Sequence, residues 1–190
     1  MKKKVKSDIN VGENFCLNNS NNKIVVSRGN PQAQLMIIGE APGAKEEELG
    51  LPFVGRSGKL LDKLLQSTGI DINLDVYFCN VIKCRPPKNR RPTKSEIEEN
   101  LPWLHQQIKL VDPNIVVLVG TTAVEAILKI KSRISIIRGK WIDWNGRLVM
   151  PVFHPSYLLR NPSQDPGTPR FFTQSDFFKI KKKLIFKNSP

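Results

Sequence analysis

Four short, largely apolar runs constrain the fold of this chain more than any other feature. Each is five or six residues long, and they occupy residues 34–38, 76–80, 115–119 and 148–153. Their apolar character is nearly continuous, whereas a strand with one solvent-exposed face would alternate apolar and polar residues. The runs therefore predict strands of a sheet that is covered on both faces.

Segments with helical spacing of apolar residues separate these runs. They cover 57–69, 95–110, 121–130 and 174–185; Ser57 is placed to cap the first, and Thr93 and Ser95 are alternative caps of the second. Strands that alternate with helices predict an α/β fold, a three-layer α/β/α sandwich around a central four-stranded parallel sheet. The pair Asn145-Gly146 is typical of a hairpin turn, so residues 140–144 are expected to pair with the fourth strand.

Length and composition favour one globular domain spanning residues 1–190. The chain is 39% hydrophobic and 25% charged, and it contains no run of about eighteen apolar residues that could cross a membrane. No apolar segment follows the basic start, so we expect no secretory signal. Three cysteines leave an odd thiol in any disulfide scheme, which indicates a reducing, cytoplasmic setting.

The net charge of +13 is unevenly distributed. Residues 1–7 carry four lysines and residues 177–190 carry five, and both segments are interpreted as basic tails, solvated or weakly attracting. An internal group has no acid before Glu96 and suits phosphate contact. It consists of Lys83, Arg85, Lys88, Arg90, Arg91 and Lys94.

Polar and aromatic residues follow three of the four predicted strands. Glu40 lies in a glycine-rich turn after the first, Asn80 ends the second, and His154 follows the fourth; Phe53 lies in a loop between glycines. Each of these residues could instead have a purely structural role. Glu40 could belong to a tight turn, Asn80 could be an amide satisfied within the protein, His154 could be a turn histidine, and Phe53 could be a ring packed in the core. The third strand ends at Gly120-Thr121-Thr122, interpreted as a loop and helix cap. Because ligands bind outside the carboxyl ends of parallel strands, convergence there favours a site for a planar heterocycle.

Four motifs in order carry a family resemblance. GEAPG (39–43), GLPFVGRSGKLLDKLL (50–65), NVIKCRPPKNRRPTKSE (80–96) and HPSYLLRNPS (154–163) together resemble the family-4 uracil-DNA glycosylases. Some relatives in that lineage are labelled phage DNA polymerase-related proteins. The resemblance covers about residues 14–185 and implies the uracil-DNA glycosylase-like fold.

The resemblance also implies roles for the residues at the strand ends. Gly39, Glu40 and Ala41 would contact uracil through the first motif, Phe53 would stack on it, and Asn80 would read its edge. His154 would contact uracil O2, and Glu40 and His154 would be the catalytic residues. Glu46 is the alternative carboxylate, although residues 46–48 are more typical of a solvated helix face.

DNA contacts follow from the same resemblance. Leu158 would fill the gap that a flipped base leaves in the stack, Tyr157 would support that loop, and Arg160 would hold a flanking phosphate. The internal bases would contribute further phosphate contacts; they are Arg85, Lys88, Arg90 and Arg91.

The implied activity is that of a monofunctional DNA glycosylase acting on uracil-containing DNA at the start of base excision repair. We expect a cytoplasmic monomer without a membrane association. Two alternatives stay open: a DNA-binding relative that has lost turnover, and a nucleotide-handling α/β enzyme unrelated to DNA.

The chain departs from the family at its iron–sulfur ligands. The resemblance implies a [4Fe-4S] cluster on four cysteines, but only Cys16 and Cys84 match, and Asn19 and Asn100 stand at the other two positions. Amides are poor ligands for such a cluster, so the sequence predicts no cofactor and vestigial ligand positions. Cys79, beside Asn80 on a strand, is expected to point into the packing layer.

Overall fold

The computed structural model describes residues 23–187, with side chains as far as Ile185. Within that range six strands form one sheet in the order β1-β3-β2-β4-β6-β5. The inner neighbours β3, β2, β4 and β6 are parallel, and the two edge strands are antiparallel. The strands are β1 Arg28–Gly29, β2 Leu35–Gly39, β3 Val76–Asn80, β4 Ile115–Val119, β5 Ile142–Trp144 and β6 Arg147–Val152.

Seven α-helices and one 3₁₀ turn accompany the strands within residues 23–187. They are α1 Ala44–Leu49, α2 Arg56–Gln66, the 3₁₀ turn Pro87–Asn89, α3 Lys94–Val111, α4 Thr121–Leu128, α5 Ile134–Ile137, α6 Pro155–Arg160 and α7 Pro169–Lys187. Thr93 begins α3 in a capping box: Thr93 Oγ1 accepts from the Glu96 N–H (3.2 Å), and Glu96 Oε2 accepts from the Thr93 N–H (2.7 Å). Thr93, and not Ser95, is therefore the cap. Gly55 precedes α2, so Ser57 lies inside that helix.

Each face of the sheet buries its own apolar core. On one face, Leu35 and Ile37 of β2 pack with leucines of α2 and with Phe177 of α7. On the other face, Met36 and Ile38 pack with residues of α3 and α4 such as Leu104. Successive residues of β2 thus enter opposite cores, which explains the unbroken apolar runs and confirms the three-layer α/β/α sandwich.

Two details of the fold bear on the sequence predictions. The predicted hairpin is present, with Asn145 and Gly146 both at positive φ (51° and 75°) between β5 and β6. The prediction of a basic C-terminal tail is wrong for residues 177–187, which belong to α7. Phe177 and Ile180 of that helix are buried because its apolar face covers the sheet, whereas Lys179, Lys182 and Lys183 are exposed. Residues 1–7 lie outside the described range.

Register brings the ends of the central strands together. Gly39 pairs with Asn80 across β2 and β3, and Val119 pairs with Val152 across β4 and β6. The residues that follow these pairs therefore lie along one edge of the sheet. In the part of the chain that the structure describes, no helix combines the length and apolarity needed to cross a membrane.

Candidate active site

A cavity of about 440 Å³ opens at the carboxyl ends of the parallel strands. Glu40, Phe53, Asn80 and His154, which come from four separate parts of the sequence, all line it. The cavity has the size of a small-ligand site. Its other lining residues are Ala41, Pro42, Gly43, Glu46, Ser57, Pro86, Asn89, Arg90, Ser156 and Arg160.

Gly39 lets the aromatic ring and the amide meet at the strand end. A Cβ atom at Gly39 would lie 2.5 Å from Asn80 Oδ1 and 2.5 Å from Phe53 Cζ. Real Cβ atoms do not approach other atoms so closely, so the absence of a side chain at this position is what allows the close approach. The first motif thus contributes a backbone surface on which the Asn80 amide and the Phe53 ring both rest.

Asn80 presents an unsatisfied amide to the cavity. The residue is 3% exposed, and within residues 23–187 its side chain makes no hydrogen bond. Buried side-chain amides are nearly always paired in native proteins, so this one is available to a ligand that presents a donor and an acceptor.

A buried lysine supports the backbone at Asn80. Lys83 is 0% exposed; its Nζ donates to the Asn80 carbonyl oxygen (2.6 Å) and to Gln107 Oε1. Burial lowers the pKa of Lys83, partly offset by the nearby Cys79. The interpretation of Lys83 as a phosphate contact is therefore wrong, because its side chain turns inward to satisfy the strand end.

The Phe53 loop is held by an arginine from the edge of the sheet. Phe53 has a left-handed backbone (φ 56°), which is unfavourable for a side chain of this size. Arg28, on β1, donates from Nε to the Pro52 carbonyl (2.8 Å), stacks over the Phe78 ring (3.8 Å to its centre) and pairs with Asp62 (2.6 Å). These contacts fix the strained loop, as is common where a side chain must be presented to a ligand.

Glu46 holds the same loop from the other side. Its Oε1 accepts from the Val54 N–H (3.1 Å) and the Gly55 N–H (2.8 Å), and the residue is 8% exposed. The expectation of a solvated helix face is wrong for this residue, because α1 turns it toward the loop. Its hydrogen bonds assign it a structural role and leave Glu40 as the carboxylate at the strand end.

Glu46→Ala should destabilise the folded protein by about 2–3 kcal/mol. The substitution removes the shared acceptor of the Val54 and Gly55 N–H groups and leaves two partly buried donors unpaired. Glu46→Gln keeps an acceptor oxygen and should lose less. Urea unfolding measures both, with the exposed Glu48→Ala as control; equal stability of Glu46→Ala and Glu48→Ala would refute the role.

His154 is the N-cap residue of helix α6, and its own side chain caps the helix. Nδ1 accepts the Ser156 N–H (3.1 Å) and lies 2.7 Å from Ser156 Oγ, so the ring carries its proton on Nε2. Burial lowers the pKa of His154, and Arg160 adds to this while Glu40 opposes it. At pH 7 the side chain is therefore a neutral imidazole with an Nε2–H donor available to the cavity.

The basic segment after β3 is largely paired with acids. Arg85 pairs with Glu47 (3.2 Å), Arg90 with Glu96 (2.7 Å) and Arg91 with Glu125 (2.6 Å). Lys88 is exposed in the 3₁₀ turn, and Arg90 and Arg160 line the cavity. Phosphate contacts by the paired arginines would require exchange of a carboxylate for a phosphate, which arginine accommodates well.

Leu158 cannot be the residue that fills a gap in a base stack. It is 1% exposed and belongs to the core that contains α2. Residues 155–160 form a helix, and in a helix position 158 lies opposite the face of Ser156 and Arg160, which line the cavity. The exposed apolar residues here are Tyr157 and Leu159, each 37% exposed.

The site does not fit the implied iron–sulfur cluster at Asn100. Asn100 is buried; its Oδ1 accepts the Lys83 N–H (2.9 Å), and its Nδ2 donates to the Glu96 carbonyl (2.6 Å). The amide thus ties the segment after β3 to helix α3 by hydrogen bonds. Cys16 and Asn19 lie outside the described residues, and within residues 23–187 no group of three or more metal-ligating side chains is present.

Cys79 is fully buried in the core between the sheet and α3, as its position on β3 predicts. Burial raises the pKa of its thiol. Arg28 was not expected to shape the site, whereas Glu46 and Lys83 were expected in other roles, as an alternative carboxylate and as a phosphate contact. No sequence pattern marks their observed roles, because each acts through a contact with a residue distant in the chain or through an unusual burial.

Comparison with known proteins agrees with this geometry. The model of the uracil DNA glycosylase superfamily matches residues 26–179. The type-4 uracil-DNA glycosylase of Thermotoga maritima is 46% identical over 151 residues, which cover 78% of this chain and 77% of that protein. The type-4 enzyme of Saccharolobus solfataricus is 37% identical over 86% of this chain and 77% of its own length.

A DNA polymerase of Bacillus phage SP01 is also similar, at 32% identity over 75% of this chain but only 15% of the phage protein. This agrees with the phage label expected from the motifs. The family model covers most of the chain, and the type-4 relatives cover most of it as well. The chain therefore belongs to the uracil-DNA glycosylase superfamily, on its type-4 branch.

Proposed function

We propose that this protein is a uracil-DNA glycosylase that hydrolyses the N-glycosidic bond between uracil and deoxyribose in DNA and leaves an abasic site. The observation that carries the proposal is one cavity lined by Glu40, Phe53, Asn80 and His154. The type-4 enzymes among its relatives support the same activity.

Recognition of uracil rests on the ring and the amide. Phe53 lies in a loop that Arg28 and Glu46 hold by hydrogen bonds, and its ring offers an aromatic face on which a flat base can stack. The unpaired Asn80 amide matches the adjacent carbonyl and N–H groups of uracil, whereas cytosine presents the opposite donor and acceptor. A buried mispaired group costs about 1–3 kcal/mol, so the amide favours uracil over cytosine.

Catalysis requires stabilisation of the charges that develop as the bond breaks. The leaving uracil takes the electron pair of the glycosidic bond, and negative charge builds on O2. The neutral His154 imidazole donates its Nε2–H to that oxygen, with backbone N–H groups of the 39–43 turn as further donors. Glu40 stabilises the positive charge on the sugar and orients the water that attacks the anomeric carbon.

Access to the base requires its extrusion from the duplex, at a cost of a few kcal/mol. Tyr157 and Leu159 are exposed on α6, the helix whose Ser156 and Arg160 line the cavity, and are its apolar side chains available to occupy the vacated space. Lys88, Arg160 and, after exchange of their carboxylates, Arg85, Arg90 and Arg91 supply phosphate contacts. Binding to DNA should weaken as salt concentration rises.

The protein is proposed to work without a cofactor, as a cytoplasmic monomer. Protein purified without oxygen and incubated with iron and sulfide should show no cluster absorbance in the visible range, and a chelator should leave its activity unchanged. The reason is that Asn100 commits both ends of its amide to backbone groups. Stoichiometric iron and sulfide in the active protein would refute this prediction.

The direct test of the activity uses an oligonucleotide with a single uracil, followed by alkali. Strand cleavage that depends on uracil supports the proposal. An uncleaved strand that the protein nevertheless binds would identify a DNA-binding relative without turnover. Absence of both cleavage and binding would point to a nucleotide-handling enzyme unrelated to DNA.

A further inference from the structure

The turn between β4 and α4 contacts the catalytic carboxylate. Thr122, the second residue of α4, is 1% exposed, and its Oγ1 donates a hydrogen bond to Glu40 Oε2. Glu40 follows β2, and β2 and β4 are parallel neighbours, so the fold brings the two residues together from 82 positions apart. Within residues 23–187 this is the one hydrogen bond that the Glu40 side chain makes.

The hydrogen bond from Thr122 holds the Glu40 carboxylate in one orientation. The threonine hydroxyl is the donor, and the carboxylate oxygen is the acceptor. The bond engages Oε2 and leaves Oε1 for a water molecule or the sugar. Thr122 itself is buried, and its neighbours Ala123 and Val124 pack into the core.

The same turn also adjoins the catalytic histidine. Gly120 has a positive φ of 87°, and a Cβ atom at this position would lie 3.2 Å from His154 Cβ. The Gly120 N–H donates to the Val152 carbonyl (3.0 Å), which ties the turn to the strand before His154. One short segment therefore adjoins both catalytic side chains, although its sequence is that of an ordinary loop and helix cap.

We propose that Thr122 is a positioning residue that orients the Glu40 carboxylate for attack at the anomeric carbon. This inference rests on the proposed glycosylase function. A carboxylate held by one oxygen keeps a fixed direction toward the sugar, whereas a free side chain samples several rotamers, most of them unproductive.

Thr122→Val tests the inference, because valine has nearly the same shape and lacks the hydroxyl. We expect the single-turnover rate of uracil release to fall about 10- to 100-fold, the range for a lost hydrogen bond to a charged group. Affinity for DNA that carries a non-cleavable 2′-fluoro-deoxyuridine should stay unchanged. Thr122→Ser restores the donor and should restore the rate to within about threefold of wild type.

Two controls separate positioning from a general structural effect. Thr121→Val changes the neighbouring residue of the same turn and should leave the rate unchanged. In a Glu40→Gln background, Thr122→Val should cause little further loss, because the two residues act through one interaction. If Thr122→Val does not fold, Thr122→Ala serves in its place, since it removes the hydroxyl without adding bulk.

The outcomes distinguish the two proposals. A wild-type protein that releases no uracil would defeat the proposed function itself. An active wild type with an equally active Thr122→Val, or with losses that simply add in the Glu40→Gln background, would overturn the role of Thr122 alone.

Discussion

His154→Ala should slow uracil release about 100- to 1,000-fold at pH 7, the range for loss of a donor to a developing oxyanion. The substitution removes the Nε2–H that the neutral ring offers to uracil O2, and no other side-chain donor of the cavity is fixed in the same way by a helix cap. Single-turnover cleavage of a uracil-containing strand measures the effect. Lys182→Ala, on the exposed side of α7, is the control and should retain the wild-type rate.

His154→Asn separates the catalytic role of this side chain from its structural one. Asparagine is a good helix cap and can accept the Ser156 N–H, so the variant should keep its stability and still lose activity. A fully active His154→Asn would show that the imidazole is not the donor.

The pH dependence of stability provides a second test of the neutral histidine. Burial lowers the pKa of His154 below its ordinary 6.5 in the folded state, so between those two values the unfolded chain binds more protons. The stabilisation is fully present above pH 6.5 and declines as pH falls toward the folded-state pKa. His154→Asn should lack this part of the acid destabilisation, while His105, whose pKa burial also lowers, contributes equally to both proteins.

Asn80→Ala is expected to reduce kcat/KM for uracil release about 100-fold. Two hydrogen bonds to the base would be lost, each worth about 1–1.5 kcal/mol, and the vacated space would admit water beside the Phe53 ring. The loss should appear mainly in the affinity for uracil-containing DNA, because the amide recognises the base in the ground state as well as in the transition state. Asn73→Ala, at an exposed position distant in the sequence, is the matched control. An Asn80→Ala protein with wild-type affinity and rate would show that the Asn80 amide does not recognise the base.

The strands of the central sheet could be predicted because burial on both faces leaves a mark within each short run of residues. A strand buried on both faces must be apolar at nearly every position, and residues 76–80 and 115–119 show this directly; their observed bounds match. The edge strand β1 could not be found in the same way. It has only two residues, Arg28 and Gly29, and pairs with one neighbouring strand, so no run of apolar residues marks it in the sequence.

The sequence also could not show whether the basic residues of 83–94 form ion pairs. A run without acids suggests free positive charge, yet three of its arginines pair with glutamates from α1, α3 and α4. These partners are 6 to 38 residues away, and only folding brings them into contact.

The amino-acid sequence by itself determined the layered α/β fold, and it pointed to the strand ends as the place of the candidate site and to Glu40, Phe53, Asn80 and His154, which line one cavity. Apolar period, turn chemistry and motif order are properties of neighbouring residues, so they can be read along the chain. Only the tertiary structure decided that Leu158 is buried, that Glu46 and Arg28 hold the Phe53 loop, and that Thr122 contacts Glu40. The direction of a side chain depends on helix phase and on partners from distant segments, and these are fixed only when the layers pack together.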